Sequence, residues 1–145
     1  MDLTEEVALE GRWIATEAPI DRDKRKASYR DGFDWPDVAS FVADADGAIV
    51  GNAGIHGGAA VPASFGMMVA SSWRRRGVGT TLLLACIDWA RSIDAHKVTL
   101  EVWPHNTAAI ALYEKHGFVQ EGYLVKHYRR SNGELWDSIT MGLLL

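Results

Sequence analysis

The run Arg74-Arg75-Arg76-Gly77-Val78-Gly79-Thr80 holds the residues of this chain best suited by type and spacing to do chemistry, and that chemistry is the holding of an anion. Glycines at 77 and 79 remove the side chains that would keep a ligand from the main chain. Successive free N–H groups at a helix start then form an anion-binding concavity. The three arginines add positive charge at its rim, and a pyrophosphate fits the combination. Two other phosphate loops fail on the same letters. A dinucleotide fingerprint needs a third glycine where Leu82 stands, and a P-loop needs a Gly-Lys-Ser/Thr that the chain lacks.

The flanking sequence supplies elements to hold that loop. Residues 63–69 form a short apolar run that reads as a strand. Behind the loop, Val78, Leu82, Ala85, Cys86, Trp89, Ala90 and Ile93 recur at intervals of three and four, which predicts a helix to about residue 94 with one apolar face. Upstream, residues 39–43 and 48–55 read as two strands around Asp44-Ala45-Asp46-Gly47, since Asp-Gly between apolar runs is hairpin chemistry. Downstream, Val98, Leu100 and Val102 alternate with Lys97, Thr99 and Glu101 in a strand ended by Pro104, which has no N–H to donate. Asn106 is an N-cap, residues 107–116 a helix, and Gly117 its left-handed C-cap, with Lys115 and His116 in the last turn. Two extended runs, 118–130 and 134–144, enclose Ser131-Asn132-Gly133. At the start, residues 4–17 read as a helix broken near Gly11, followed by a charged, solvated helix opened by Asp21. The order is helix, helix, three strands, helix, strand, helix, two strands. This predicts an α/β or α+β sheet with a strand–helix–strand crossover at its middle, in a single domain spanning residues 1–145.

Composition narrows the function. The chain has 145 residues, 48% apolar and 23% charged, and a formal net charge of −4. That balance argues against a general nucleic-acid binder, which needs a basic face. No apolar run approaches a membrane span, and the acidic first residues are unlike a signal peptide, so the expectation is a cytoplasmic protein. Cys86 is the one cysteine and lies on an apolar helix stripe, so it reads as a buried hydrophobe rather than a nucleophile. The five histidines show no metal-ligand spacing, and no metal is expected.

The pattern Arg74-x-x-Gly77-x-Gly79 resembles the pantetheine-pyrophosphate loop of the GNAT family of N-acetyltransferases. Leu100-Glu101-Val102, Asn106, Ala108-Ala109 and Ala111-Leu112-Tyr113-Glu114-Lys115-His116-Gly117-Phe118 resemble a second segment of that family in its usual order. The resemblance covers roughly residues 39–144. It implies a mixed, mostly antiparallel central sheet flanked by helices, and acetyl-CoA as cosubstrate. It places the backbone of Met68, Val69 and Ala70 on the pantetheine amides, Arg74, Arg75, Arg76, Gly77, Val78, Gly79 and Thr80 around the pyrophosphate, and Asn106 and Ala109 along the cofactor arm. The start departs from the family pattern, because only nine residues precede Glu10 and the first strand is missing. Either the sheet edge is bare, which invites a homodimer, or the start has been trimmed.

Acetyl transfer to an amine needs a neutral acceptor and a proton for the departing thiolate. The resemblance makes Tyr113 the general acid, although a core tyrosine would occupy the same helix position. It makes Glu101 a base acting through water, as in peptide-acetylating members, although a solvated strand carboxylate would look alike. Trp13, Trp35 and Trp103 are candidates for the acceptor pocket or for core, and His56 or His127 could face the cleft. The residues around 10–17 and 128–137 resemble members that acetylate amino acids or related small amines, while the twelve-residue step from Glu101 to Tyr113 resembles enzymes of protein N-termini. A module that binds acetyl-CoA without turnover is a third possibility of a different class.

Overall fold

Asp46 and Gly47 both adopt left-handed φ values, 53° and 85°, and turn the chain from β1 (Val38–Ala45) into β2 (Ala48–Gly58). The computed structural model describes residues 2–32 and 37–145. After β2 come β3 (Val61–Val69), a short 3-10 turn at Ser71–Trp73, α3 (Val78–Ser92), β4 (Lys97–Val102), α4 (Thr107–Lys115), β5 (Val119–Arg129) and β6 (Leu135–Leu144), with α1 (Leu3–Leu9) and α2 (Arg22–Gly32) ahead of them all. The predicted order of elements is the observed one. The first helix breaks near the predicted place, ending at Leu9. Gly11 is left-handed at φ 66°, and the chain runs on to residue 21 without a helix or strand.

The six strands pair in the order β1-β2-β3-β4-β6-β5. Neighbours are antiparallel except β3 and β4, which lie parallel because α3 crosses over between them. That parallel ladder consists of Ala63↔Val98 and Ser64↔Thr99 alone. Beyond it, β3 runs on to Val69 and β4 to Val102 without pairing, so the sheet opens between them. No strand precedes β1 among the described residues, and β1 is therefore an edge.

The core lies under α3. Leu82, Leu83, Cys86, Ile87 and Ala90 pack on Ala53, Ile55, Ala63, Phe65, Val98 and Leu100 of the sheet. Leu83 and Ile87 widen the stripe that the three–four spacing outlines. Close approach of α3 to β2 depends on Gly51, where a Cβ would meet Val78 Cγ1 at 2.8 Å and Leu82 Cδ1 at 2.9 Å. A smaller cluster joins Leu3 and Val7 of α1 to Val50 and Ala70. Asp2 caps α1 by accepting from the Glu5 N–H at 3.0 Å, and Asp21 accepts from the Lys24 N–H at 3.0 Å as α2 begins. Charge on every side of α2 leaves it exposed along most of its length. No described helix is long and apolar enough to cross a membrane.

Candidate active site

Gly77, at φ 85°, is the N-cap of α3 and supplies no side chain to satisfy the helix start. The Thr81 N–H is the first to find a partner inside the helix, donating to the Gly77 carbonyl at 3.1 Å. The N–H groups of Val78, Gly79 and Thr80 therefore remain for an anion, as at any uncapped helix start. Arg75 is left-handed as well, φ 63°, which curls the preceding backbone into a concave turn. Here opens a groove of about 590 Å³, with Arg75, Gly77, Gly79 and Thr80 on one bank and Ala109 and Leu112 on the other. A Cβ on Gly79 would come within 3.3 Å of Met67 Cε, a tight contact that the methionine would have to relieve by shifting. A pyrophosphate-bearing cofactor fits both the donors and the space.

The arginines divide. Arg74 lines the groove, yet its fork grips Glu10, with Nη1 donating to Oε2 at 2.8 Å and Nη2 to Oε1 at 2.5 Å, while Nε donates to the Val69 carbonyl at 3.0 Å. Its guanidinium is thus committed to the protein, and it holds the Glu10 carboxyl below the usual carboxylate range. Arg76 lies over the Trp73 ring at 4.0 Å, and the Val78 side chain turns towards β2.

Register separates Met68, Val69 and Ala70, all expected at the strand contact. The Ala70 N–H donates to the Val50 carbonyl at 2.9 Å, and its own carbonyl accepts from Trp73. Antiparallel partners exchange hydrogen bonds at alternate positions, so Met68, opposite Asn52, also turns its main chain to β2. The groups facing the split are those of Phe65, Met67 and Val69. Met68 and Val69 still line the groove, whereas Ala70 is buried beneath it.

At the same split lies a second cavity of about 280 Å³, lined by Trp13, Phe65, Glu101, Trp103, Tyr128 and Ser138. Tyr113, Asn106 and Met67 line both spaces. Tyr113 is 6% exposed, with Phe65 edge-on at 6.1 Å and Phe118 at 5.7 Å, and burial raises its phenol well above the ordinary value. It therefore holds its proton where the two cavities meet. Asn106 caps α4 through Oδ1, which accepts from the Ala109 N–H at 3.3 Å. Glu101 Oε2 accepts from the Tyr128 hydroxyl, and that bond pushes the Tyr128 phenol up to about 12. Cys86 lies in the core with its thiol raised to about 12 by burial, far too high for a thiolate nucleophile.

Arg130, 5% exposed, stands behind this cavity. Its Nη1 donates to the carbonyls of Ile14 at 3.3 Å and Ala15 at 3.2 Å, and its Nε lies 3.5 Å from a Glu17 oxygen. Its guanidinium faces the Trp136 ring at 4.5 Å and Trp103 at 5.8 Å. One buried cation thus fastens the loop after α1 to the β5–β6 hairpin. Sequence reasoning missed Arg130, Glu10 as its counterpart at Arg74, Met67, Tyr128 and Ser138. Only the Asn-Gly turn beside Arg130 hinted that this end of the chain was fixed. Of the other candidates, Trp13 and Trp103 line the acceptor cavity, His56 and His127 line neither space, and Trp35 lies outside the described residues. His116 is the C-cap of α4, and among the described residues no cluster of His, Cys, Asp or Glu could hold a metal.

Main-chain anion donors on one side of a parallel gap, an aromatic amine-sized cavity on the other, and a protonated phenol between them make an acyl-transfer site. Comparison with known proteins agrees. Residues 9–118 match the acetyltransferase (GNAT) family, and the chain belongs to it as an acetyl-CoA-dependent N-acetyltransferase. It is 34% identical to the L-amino acid N-acetyltransferase AaaT of Escherichia coli (strain K12) over 116 residues, 74% of this chain and 69% of that one. It is 36% identical to the spermidine N(1)-acetyltransferase of Vibrio cholerae over 83 residues, 57% of this chain and 47% of that one. Its fold is that of the yncA protein of Salmonella typhimurium, determined with its cofactor acetyl-CoA, at a TM-score of 0.83 and 22% identity, covering 99% of this chain and 84% of that one.

Proposed function

We propose that this chain acetylates the primary amine of a small molecule, an amino acid or a related amine, by direct attack without an acyl-enzyme. Acetyl-CoA, when bound, supplies the thioester. The N–H groups at the start of α3 hold its pyrophosphate, and the main chain of Met67 and Val69 faces its pantetheine arm. Glu101, steadied by Tyr128, accepts the proton of the incoming ammonium directly or through water. Tyr113 Oη gives a proton to the departing sulfur. The observation that carries this reading is the buried, protonated Tyr113 shared by the two cavities.

Mass spectrometry of a reaction with acetyl-CoA and a panel of amines should show one N-acetylated product per thiol released. Tyr113→Phe keeps the ring packing and removes the proton, so it should lower kcat by about 10²–10³ while acetyl-CoA affinity stays within about twofold. Undiminished turnover by that variant would remove Tyr113 from the chemistry. The spacing of Glu101 and Tyr113 favours a second reading, acetylation of a protein N-terminus. Release with N-terminal peptides and none with small amines would select it.

A further inference from the structure

The acceptor cavity has a polarity that bears on which amine enters it. Among its described lining residues Glu101 is the one charged side chain. Residues 1 and 33–36, outside the described set, contain no Lys, Arg or His. Ser138 also lines the cavity, is 1% exposed, and its Oγ has no protein partner. Such a buried hydroxyl is costly unless something completes its hydrogen bonding. The Glu101 carboxylate and the Ser138 hydroxyl sit among Trp13, Phe65, Trp103 and Tyr128, and such walls favour a cation over an anion.

No guanidinium lines the cavity among the described residues. Arg74 is held by Glu10, and Arg130, near Trp103, spends Nη1 and Nε on the loop after α1 while its Nη2 is buried without a protein partner. Arg12 lies 5.0 Å from the Trp13 ring. In an α-amino acid the carboxylate is attached one carbon from the reacting nitrogen. It must therefore enter the cavity with the amine and lie beside Glu101, with no cation among the described lining residues to offset the repulsion.

Resting on the acetyl-transfer reading of this cleft, we propose that the acceptor is a primary amine with an apolar or aromatic body and no carboxylate beside the amine. Within the class of amino acids and related amines, the cavity selects the related amines.

The test is thiol release with matched sets that share one body: phenethylamine, phenylalanine amide and phenylalanine, then isoamylamine, leucinamide and leucine. The amines and amides should exceed the free acids in kcat/KM by at least about tenfold. In Glu101→Gln, slower overall, that ratio should contract, because the charge that repels the carboxylate is gone. Free acids turned over as well as the amines, or amides no better than the acids, would overturn the selection while leaving acetyl transfer in place. Transfer to no member of either set, by protein that still binds acetyl-CoA, would overturn this inference and the small-amine reading with it.

Discussion

The two halves of the cleft are built on different plans. The donor half takes its anion donors from one continuous stretch, the end of β3 and the start of α3, with α4 as its far bank and Val7, Trp13 and Ile14 bordering it, and its working groups are main-chain amides. The acceptor half gathers side chains from the loop after α1, from β3 and β4, and from both strands of the terminal hairpin. One is a local property of glycine and helix geometry. The other exists only when segments more than a hundred residues apart are fastened together, as Arg130 fastens Ile14 and Ala15. Changes to the donor half should therefore act through backbone access, and changes to the acceptor half through long-range side-chain contacts.

The sharpest way to break this contrast is at Gly79. A valine there would place Cβ 3.3 Å from Met67 Cε and its methyl groups across the amides that the groove presents. Acetyl-CoA affinity should fall by about a hundredfold, or about 2.7 kcal/mol. Arg76→Ala removes a full charge that lies over Trp73, and should cost no more than about threefold, because an exposed cation is screened. Isothermal titration of the two variants decides the matter. If Arg76→Ala loses as much as Gly79→Val, side-chain charge holds the cofactor and the donor half is no backbone device.

In the acceptor half the matching experiment is Arg130→Met. The methionine can fill the space but leaves two carbonyls without their donor and the Glu17 carboxylate without its cation, held by Ser131 alone. Glu17 is about a third exposed and can regain water, so the loss should be about 2 kcal/mol rather than the full cost of a buried unpaired charge. The acceptor KM should rise about tenfold as the loop bearing Trp13 loosens, and acetyl-CoA affinity should fall by less, about threefold, because Trp13 and Ile14 border the cofactor groove as well. Arg130→Lys should recover only part of this, since an ammonium lacks the planar fork. A change in cofactor affinity equal to the change in acceptor KM would mean that the halves are not separable.

The same contrast explains what could be read from the chain alone. Order of elements, the Asp-Gly turn, the Asn106 cap and the glycine loop all follow from spacings of four residues or fewer, and local physical rules suffice for them. Strand register is different. Period-two patterning gives the faces of β3 but not which of its amides point to β4, so Met68, Val69 and Ala70 could not be told apart, and Met67 was not singled out. The acceptor half was fainter still. Glu10 and Arg130 look in sequence like any solvated charge, and only the folded chain shows that one seals Arg74 and the other lies buried behind two tryptophans. The break after Leu9 was legible as well, because Gly11 stands where the helical spacing towards Trp13 and Ile14 is interrupted.

The smallest effect should come from the seam between the halves, the Glu10–Arg74 pair. Its arginine ties the end of β3 to the segment that carries Trp13, whose indole N–H also donates to Glu10 at 2.6 Å. Arg74 lowers the Glu10 pKa in the folded state, so folding favours the ionised carboxylate. Its contribution is fully present above the unfolded value of about 4.3 and is lost as pH falls through the lower folded value. Both side chains are partly open to solvent, and screening limits the gain to about 1 kcal/mol at most. Denaturant unfolding of the wild type and Glu10→Gln should therefore differ by up to about 1 kcal/mol at pH 7, and the curves should converge as pH drops below about 4. A gap that stayed constant with pH would assign the effect to packing. A gap that closed while acetyl-CoA affinity held within about twofold would place Arg74 in the fastening of the two halves, with the amides alone left to grip the cofactor.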